Sequence, residues 1–244
     1  LLSEEYREVF HILAEDICQV LIGQSSPKVA IKAVFERIQK WQKLLHQNGS
    51  KGLSDEKQVG LFGELKVLQD LFLNHLPARE AVDGWVGPKR ADQDFQFDDL
   101  SVEVKTSRSS LPDFIRVSNE NQLESRNLED LILVLLSVCD DQITGLTLPQ
   151  LVEQIEVSLN ERVLSTFKDR LFDYGYLHAH KHLYQDQSYA FNHCNYYKVD
   201  DGFPRIISDG LPIGVSNVKY KVNVDACHSH LISEAVVISK IQSL

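Results

Sequence analysis

Methionine is absent from the 244 residues, position 1 included. This is expected if the chain begins inside a longer protein, or if modified methionines were dropped and the numbering closed up. A mass measurement separates the two, and short spacings carry more weight here than long ones. Long apolar runs are also missing. No stretch approaches the roughly 18 residues of a membrane span, and no secretory leader is visible, so a cytoplasmic protein with no membrane partner is expected. LILVLLSV (Leu131 to Val138) is the longest such run and reads as a buried strand. Cysteine is sparse and scattered. Cys18, Cys139, Cys194 and Cys227 form no C-x-x-C pair, which favours reduced thiols over a disulfide framework. Positive charge is outweighed, with 25 Lys and Arg against 35 Asp and Glu and a net charge of −10. Nucleic-acid binding would therefore need a local basic groove, a bound metal or a partner. Serine-hydrolase, P-loop and dinucleotide signatures are lacking, as are repeats and low-complexity segments.

What is present is 43% hydrophobic residues, enough for a substantial core. Leu1 to Ile22 reads as an amphipathic helix, and Ser25-Ser26-Pro27 opens a second helix that runs to about Gln47. NGSKG (Asn48 to Gly52) is a loop. Ser54 then caps a third helix, with Asp55 and Glu56 in its first turn, extending through GLFGELKVLQDLF to His75-Leu76-Pro77. The turn-rich DGWVGPKR leads to a hairpin, DQDFQFDDLSVEVKTS. FIRVS reads as a strand, NENQLESR as a short helix and LILVLLSV as a central strand, which together predict an α/β fold with a mixed sheet flanked by helices.

Beyond Thr147, two helices (TLPQLVEQIEVSL and ERVLSTFKDRLFDYGYL) precede a strand, SYAFNHCNYYKV, in an order resembling a winged helix. GVSNVKYKVNV and AVVISKI read as strands in the tail. Four regions follow from this pattern: an N-terminal helical region (1–52), a core (53–146), a helical, winged-helix-like segment (147–198) and C-terminal strands packing on the core (199–244).

The hairpin raises the functional question. A two-residue turn at Asp98-Asp99 sets Phe97 opposite Leu100, Phe95 opposite Val102 and Asp94 opposite Glu103. Phe95, Phe97, Val102 and Val104 then share an apolar face, and a one-residue slip would mix charges into it. Glu103 and Lys105 share the other face by alternation. Opposed acids repel by a few tenths to about 1 kcal/mol, and a divalent cation between them reverses that sign. The bland alternative is a solvated polar face with Lys105 neutralising two acids. A third acid comes from the helix before it. At 100° per residue Leu61, Leu65, Leu68 and Phe72 form one stripe, and Glu64 falls inside that arc. An acid facing the core needs a cation, either a metal or a Lys or Arg partner.

Glu64 on a helix, Asp94 on a strand and Glu103-Val104-Lys105 as E-x-K together resemble the PD-(D/E)XK nuclease superfamily, of restriction-endonuclease-like fold. GLFGELKVL, W-x-GP (Trp85 to Pro88), Asp94-Phe95, EVKTS, Gln122-Leu123 and FPRI (Phe203 to Ile206) look like a prokaryotic branch of it encoded beside restriction and phage-defence genes. The likeness covers most of the chain and is weakest before about Leu53. The Pro-Asp pair is not present. Ala91-Asp92-Gln93-Asp94 stands there, leaving Asp92 and Asp94 as candidates, of which Asp94 aligns with Glu103 and precedes Phe95.

The resemblance implies Mg²⁺-dependent hydrolysis of DNA, with Mn²⁺ able to substitute. Asp94, Glu103 and the Val104 carbonyl would hold the metal and Lys105 would position the water. Glu64 would serve a second metal or that water, and Gln122 would be an accessory. It also implies a homodimer and defence-system partners such as an ATPase or methyltransferase. The rival expectation is a catalytically silent nuclease-fold subunit for DNA binding or assembly, and a third is an RNA-directed or structure-specific nuclease. Lys89, Arg90, Arg108 and Arg116 are candidate phosphate contacts. HAHKH (His178 to His182), His193-Cys194 and CHSH (Cys227 to His230) match no standard zinc spacing and read as exposed turn histidines.

Overall fold

The computed structural model describes residues 5–22, 24–48, 52–125 and 130–244. The start of the first expected helix, the middle of NGSKG and the end of NENQLESR lie outside the described residues. Helix α1 (Glu5–Leu21) is followed by α2 (Pro27–Asn48), where Ser26 Oγ accepts from the Val29 N–H at 3.4 Å and Pro27 occupies the first turn. Ser54 caps α3 (Asp55–Val67) by accepting from the Lys57 N–H. The helix continues as expected to His75, but with a π turn at Leu68–Phe72 before α4 (Leu73–His75). Pro77 then precedes α5 (Ala78–Gly84), a short helix the sequence pattern did not predict.

Strands β1 (Phe95–Gln96) and β2 (Leu100–Ser107) form the hairpin in the expected register, with Phe95 facing Val102 and the Phe97 N–H donating to the Leu100 carbonyl at 2.8 Å. Burial selects this register, since Phe95 is fully buried and stacks on Phe72 at 4.6 Å. After β3 (Phe114–Val117), β4 (Asp130–Asp140) carries the LILVLLSV run and lies parallel to β2. β5 (Leu146–Thr147), α6 (Leu148–Ser158) and α7 (Glu161–Tyr174) precede β6 (Ser188–Lys198), which is antiparallel to β4. β7 (Tyr220–Asn223), β8 (Leu231–Ile232) and α8 (Glu234–Ile241) complete the described elements.

The central sheet is six-stranded and mixed, ordered β1-β2-β4-β6-β5 with β8 also on β6. The helix–helix–strand order of 147–198 is present, and its strand is built into this sheet, so it is not a separate wing. AVVISKI is a correction, because it forms α8 and not a strand. Val236, Val237 and Ile238 favour strands locally, but Val237 and Ile241, one turn apart, both bury in the main core. FIRVS is a strand, yet it pairs with β7 in a separate two-stranded ribbon.

Both faces of the sheet are covered. On one, Val102, Val104, Ile132, Val134 and Leu136 pack with Leu61, Leu65, Leu151 and Phe167. On the other, Leu131, Leu133, Leu135 and Tyr197 pack with Ile115, Val117 and Val222 of the ribbon and with Phe203. The α1–α2 pair docks on α7, where Trp41 meets Phe172 at 5.1 Å and Arg37 bridges Asp16 and Asp169 at 2.5 and 2.8 Å. Among the described residues no helix is long and apolar enough to cross a membrane.

Helix α3 meets β2 closely at one point. A Cβ on Gly63 would stand 1.8 Å from Thr106 Oγ1 and 2.9 Å from its Cβ. Gly63→Ala should therefore cost about 1–3 kcal/mol in urea unfolding, with partial recovery when Thr106→Ala is added. Unchanged stability of Gly63→Ala would contradict this contact.

Candidate active site

The residues singled out at the hairpin meet at an open sheet edge. β1 pairs only with Ser101 and Val102, so among the described residues β2 has no strand partner on that side from Val104 onward. Asp94, just before β1, fills the gap: its Oδ2 accepts the Val104 N–H at 2.8 Å. Antiparallel alternation turns the Val104 carbonyl to the same edge as that N–H.

Glu103 and Lys105 lie on the face opposite Val102 and Val104. The side chain of Glu103 is only 1% exposed and that of Lys105 17%, and Lys105 Nζ meets Glu103 Oε1 at 2.7 Å. This burial overturns the solvated-face alternative. Lys105 also donates to Gln122 Oε1 at 2.9 Å, and the same oxygen accepts the Ser118 N–H at 2.8 Å. Gln122 sits in a short 3-10 turn, Glu120–Leu123, whose Leu123 is fully buried beneath it.

Glu64 comes from α3. Its Oε2 accepts the indole N–H of Trp85 at 2.7 Å. Trp85 is fully buried against Phe167, 5.8 Å away. The W-x-GP motif then ties the two acids together, because the Val86 and Gly87 N–H groups both donate to the Asp94 carbonyl at 2.8 Å. A Cβ on Gly87 would stand 2.8 Å from Asp94 Oδ1 and 3.1 Å from Glu64 Oε2, so glycine there leaves the space in which these carboxylates face each other. Glu64, Asp94, Glu103, Lys105, Gln122 and Tyr174 all line one cleft of about 720 Å³.

Electrostatics follow from this burial. Desolvation raises Asp94 to about 6, against Lys105 and the Val104 N–H, which lower it. Desolvation, reinforced by the charge of Asp94, raises Glu103 to about 8, with Lys105 opposing. Glu64 is raised well above the usual carboxylate range by burial and by Asp94, with the Trp85 N–H pulling the other way. Burial alone would lower Lys105, but Glu103, Asp94 and Glu64 outweigh it and raise its pKa.

The donor set suits a hard divalent ion. Glu103 Oε2 is buried with no hydrogen-bond partner, and Asp94, Glu103 and the Val104 carbonyl offer oxygens at one edge. Among the described residues no three His, Cys, Asp or Glu side chains converge as a ready-made cage. The physical reason is visible, since Lys105 takes Glu103 Oε1 and Val104 takes Asp94 Oδ2. An ion would compete with the ammonium for Glu103.

The other candidates divide. Asp92 is exposed and does not line the cleft, whereas Asp94 does. Arg108 and Arg116 line it, with Arg108 held by Gln187 at 2.7 Å and Tyr189 at 3.2 Å. Lys89 and Arg90 are exposed and not among its lining residues. His178 pairs with Glu156 and His230 with Asp200, while His180 is buried, which corrects its reading as an exposed turn histidine. Tyr174 was missed. Its hydroxyl donates to the Lys57 carbonyl at 3.2 Å, and burial, followed by the charge of Glu64, raises the phenol well above its ordinary value. Only its place at the end of α7 marked it, and a helix-end aromatic usually reads as core.

A mixed sheet covered on both faces, with Asp94 and an E-x-K strand at its open edge, is consistent with the restriction-endonuclease-like fold. A family model described as "Putative PD-(D/E)XK family member, (DUF4420)" matches residues 1–225, and the chain belongs to that family. No curated protein and no solved structure matches it.

The raised carboxylates give a pH test in metal-free buffer. Asp94 and Glu103 have ordinary values of 3.8 and 4.5, so the unfolded chain loses their protons first. Their contribution to stability is complete below about pH 4 and is lost as pH rises through about 6 and 8. With EDTA present, Glu103→Gln should flatten the fall in melting temperature between pH 5 and pH 8.5, approximate limits set by that linkage. A variant curve as steep as the wild type's would contradict it.

Proposed function

We propose that this chain is a Mg²⁺-dependent DNA endonuclease that hydrolyses phosphodiester bonds in restriction or anti-phage defence. The observation that carries the reading is that Asp94, Glu103 and Lys105 share one cleft with Glu64, with Glu103 buried and one of its oxygens without a partner. Asp94, Glu103 and the Val104 carbonyl are the residues that would hold Mg²⁺, or Mn²⁺ in its place, with Glu64 serving a second ion or the attacking water. When bound, the ion supplies charge neutralisation at the phosphoryl oxygens and acidifies water.

The chain's own groups do the rest. Gln122, fixed by Ser118, keeps Lys105 tethered when its ammonium leaves Glu103. From there Lys105 donates to the water or to charge developing on the phosphoryl group. Trp85 restrains Glu64, and the Val86 and Gly87 N–H groups restrain Asp94. Arg108 and Arg116 at the cleft offer phosphate contacts. With a net charge of −10, tight binding of DNA would draw on a second copy of the chain or on a defence partner such as an ATPase or methyltransferase. The likeness to a branch encoded beside phage-defence genes supports the defence setting.

The test is cleavage of plasmid, linear and single-stranded DNA with Mg²⁺ or Mn²⁺. The wild type should cut, and Lys105→Ala and Glu103→Ala should each lose at least about a hundredfold. Equal activity in all three would overturn the assigned site. A silent wild type that still binds DNA would favour the catalytically silent subunit.

A further inference from the structure

The ribbon of β3 and β7 buries one face and presents the other to solvent. Ile115, Val117 and Val222 point into the core, so alternation turns Phe114 and Arg116 outward, with Lys221 outward on the partner strand. Phe114 is 51% exposed, large for an aromatic side chain. Arg116 and Lys221 are directly opposite each other in the register, and Lys221 Nζ lies 5.8 Å from the centre of the Phe114 ring.

Two like charges facing each other across a ribbon repel, and only the Phe114 ring beneath Lys221 offers either cation an attractive contact among the described residues. Neither cation has an acid partner among the described residues. An anion between them reverses the sign of that interaction. The chain carries an excess of ten negative charges, so a local cationic spot next to an exposed ring stands out.

The location is as informative as the composition. Phe114, Ile115, Arg116 and Ser118 line the same cleft as Glu64, Asp94, Glu103 and Lys105. Ser118 is also the residue whose N–H fixes Gln122 and through it Lys105. The ribbon face therefore runs directly into the acid cluster. The start of α3 also lines the cleft and brings Asp55 and Glu56, whereas β3 brings Arg116 and no acid.

We propose that this face is a landing site for single-stranded nucleic acid, with an unpaired base stacked on Phe114 and the neighbouring phosphates on Arg116 and Lys221. A base inside a duplex has its faces covered by its neighbours, so a protruding ring stacks without an unstacking cost on a base that has already left the stack. The two cations contact phosphates without regard to sequence, so this surface selects for strandedness and carries no base code. The inference deepens the nuclease reading and rests on it for the kind of polymer: the substrate has unpaired nucleotides beside the bond that is cut.

The experiment is fluorescence anisotropy in EDTA, where cleavage plays no part, using a labelled oligo(dT) strand, an oligo(rU) strand and a labelled DNA duplex of the same length. The wild type should bind single strands more tightly than duplex. Phe114→Ala should weaken single-strand binding by about tenfold or more and leave duplex binding unchanged, while Phe114→Tyr retains it. Arg116→Ala and Lys221→Ala should each weaken both and lower the salt dependence by about one phosphate contact. An unchanged melting temperature for Phe114→Ala, expected for so exposed a ring, shows that the fold is intact. The proposal fails if the wild type does not bind single strands, if Phe114→Ala binds them as the wild type does, or if it loses single strand and duplex alike. A wild type that binds single strands in this way yet cleaves nothing with Mg²⁺ would overturn the nuclease reading and leave the landing site standing.

Discussion

The structure depends on holding Glu64, Asp94 and Glu103 together, largely withdrawn from water, at one cleft with Lys105 among them. Burial of ionised groups is costly unless each has a partner, and removing one member of a buried pair costs about 3–5 kcal/mol. Three acids against one ammonium leave an excess of negative charge at one edge of β2. The raised pKa values of all three carboxylates express chiefly their burial, with the charge of Asp94 adding to it at Glu64 and Glu103. Such an arrangement makes physical sense where a further cation completes it.

Much of the surrounding fold supports this edge. The hairpin keeps β1 to two residues, which among the described residues leaves the Val104 N–H and carbonyl free of a strand partner. Trp85 and Gly87 hold Glu64 and Asp94 in position from behind. On the other face, the 3-10 turn carrying Gln122 is anchored by Arg205, which donates to the Leu123 carbonyl, and by Phe203, buried in the same cluster. FPRI, distant in sequence, therefore acts through the turn that holds Lys105. The ribbon of β3 and β7 closes that cluster, and its β3 strand lines the cleft through Phe114, Ile115 and Arg116.

The hairpin register was readable because period-two burial leaves a single pairing that keeps Phe95 and Phe97 inside. Glu64 was readable because an acid within an apolar helical arc is an exception that demands a cause. The stripe itself was too simple a picture, since α3 is buried around most of its circumference. AVVISKI misled because β-branched residues signal strand locally, and only tertiary burial at Val237 and Ile241 selects a helix. Tyr174 and the pairing of β3 with β7 depend on contacts between segments more than a hundred residues apart, as with Tyr174 and Lys57 or Arg116 and Lys221. Periodicity says nothing about such contacts.

The central claim is that the acids at the open edge of β2 are arranged for a divalent cation. Titration calorimetry of metal-free protein with Mn²⁺, in the absence of nucleic acid, tests it most directly. The account predicts saturable binding by the wild type that Glu103→Gln weakens by at least about tenfold, the lower end of what removing support from a metal site usually does. Binding of equal strength in both proteins, or none in the wild type, would contradict it.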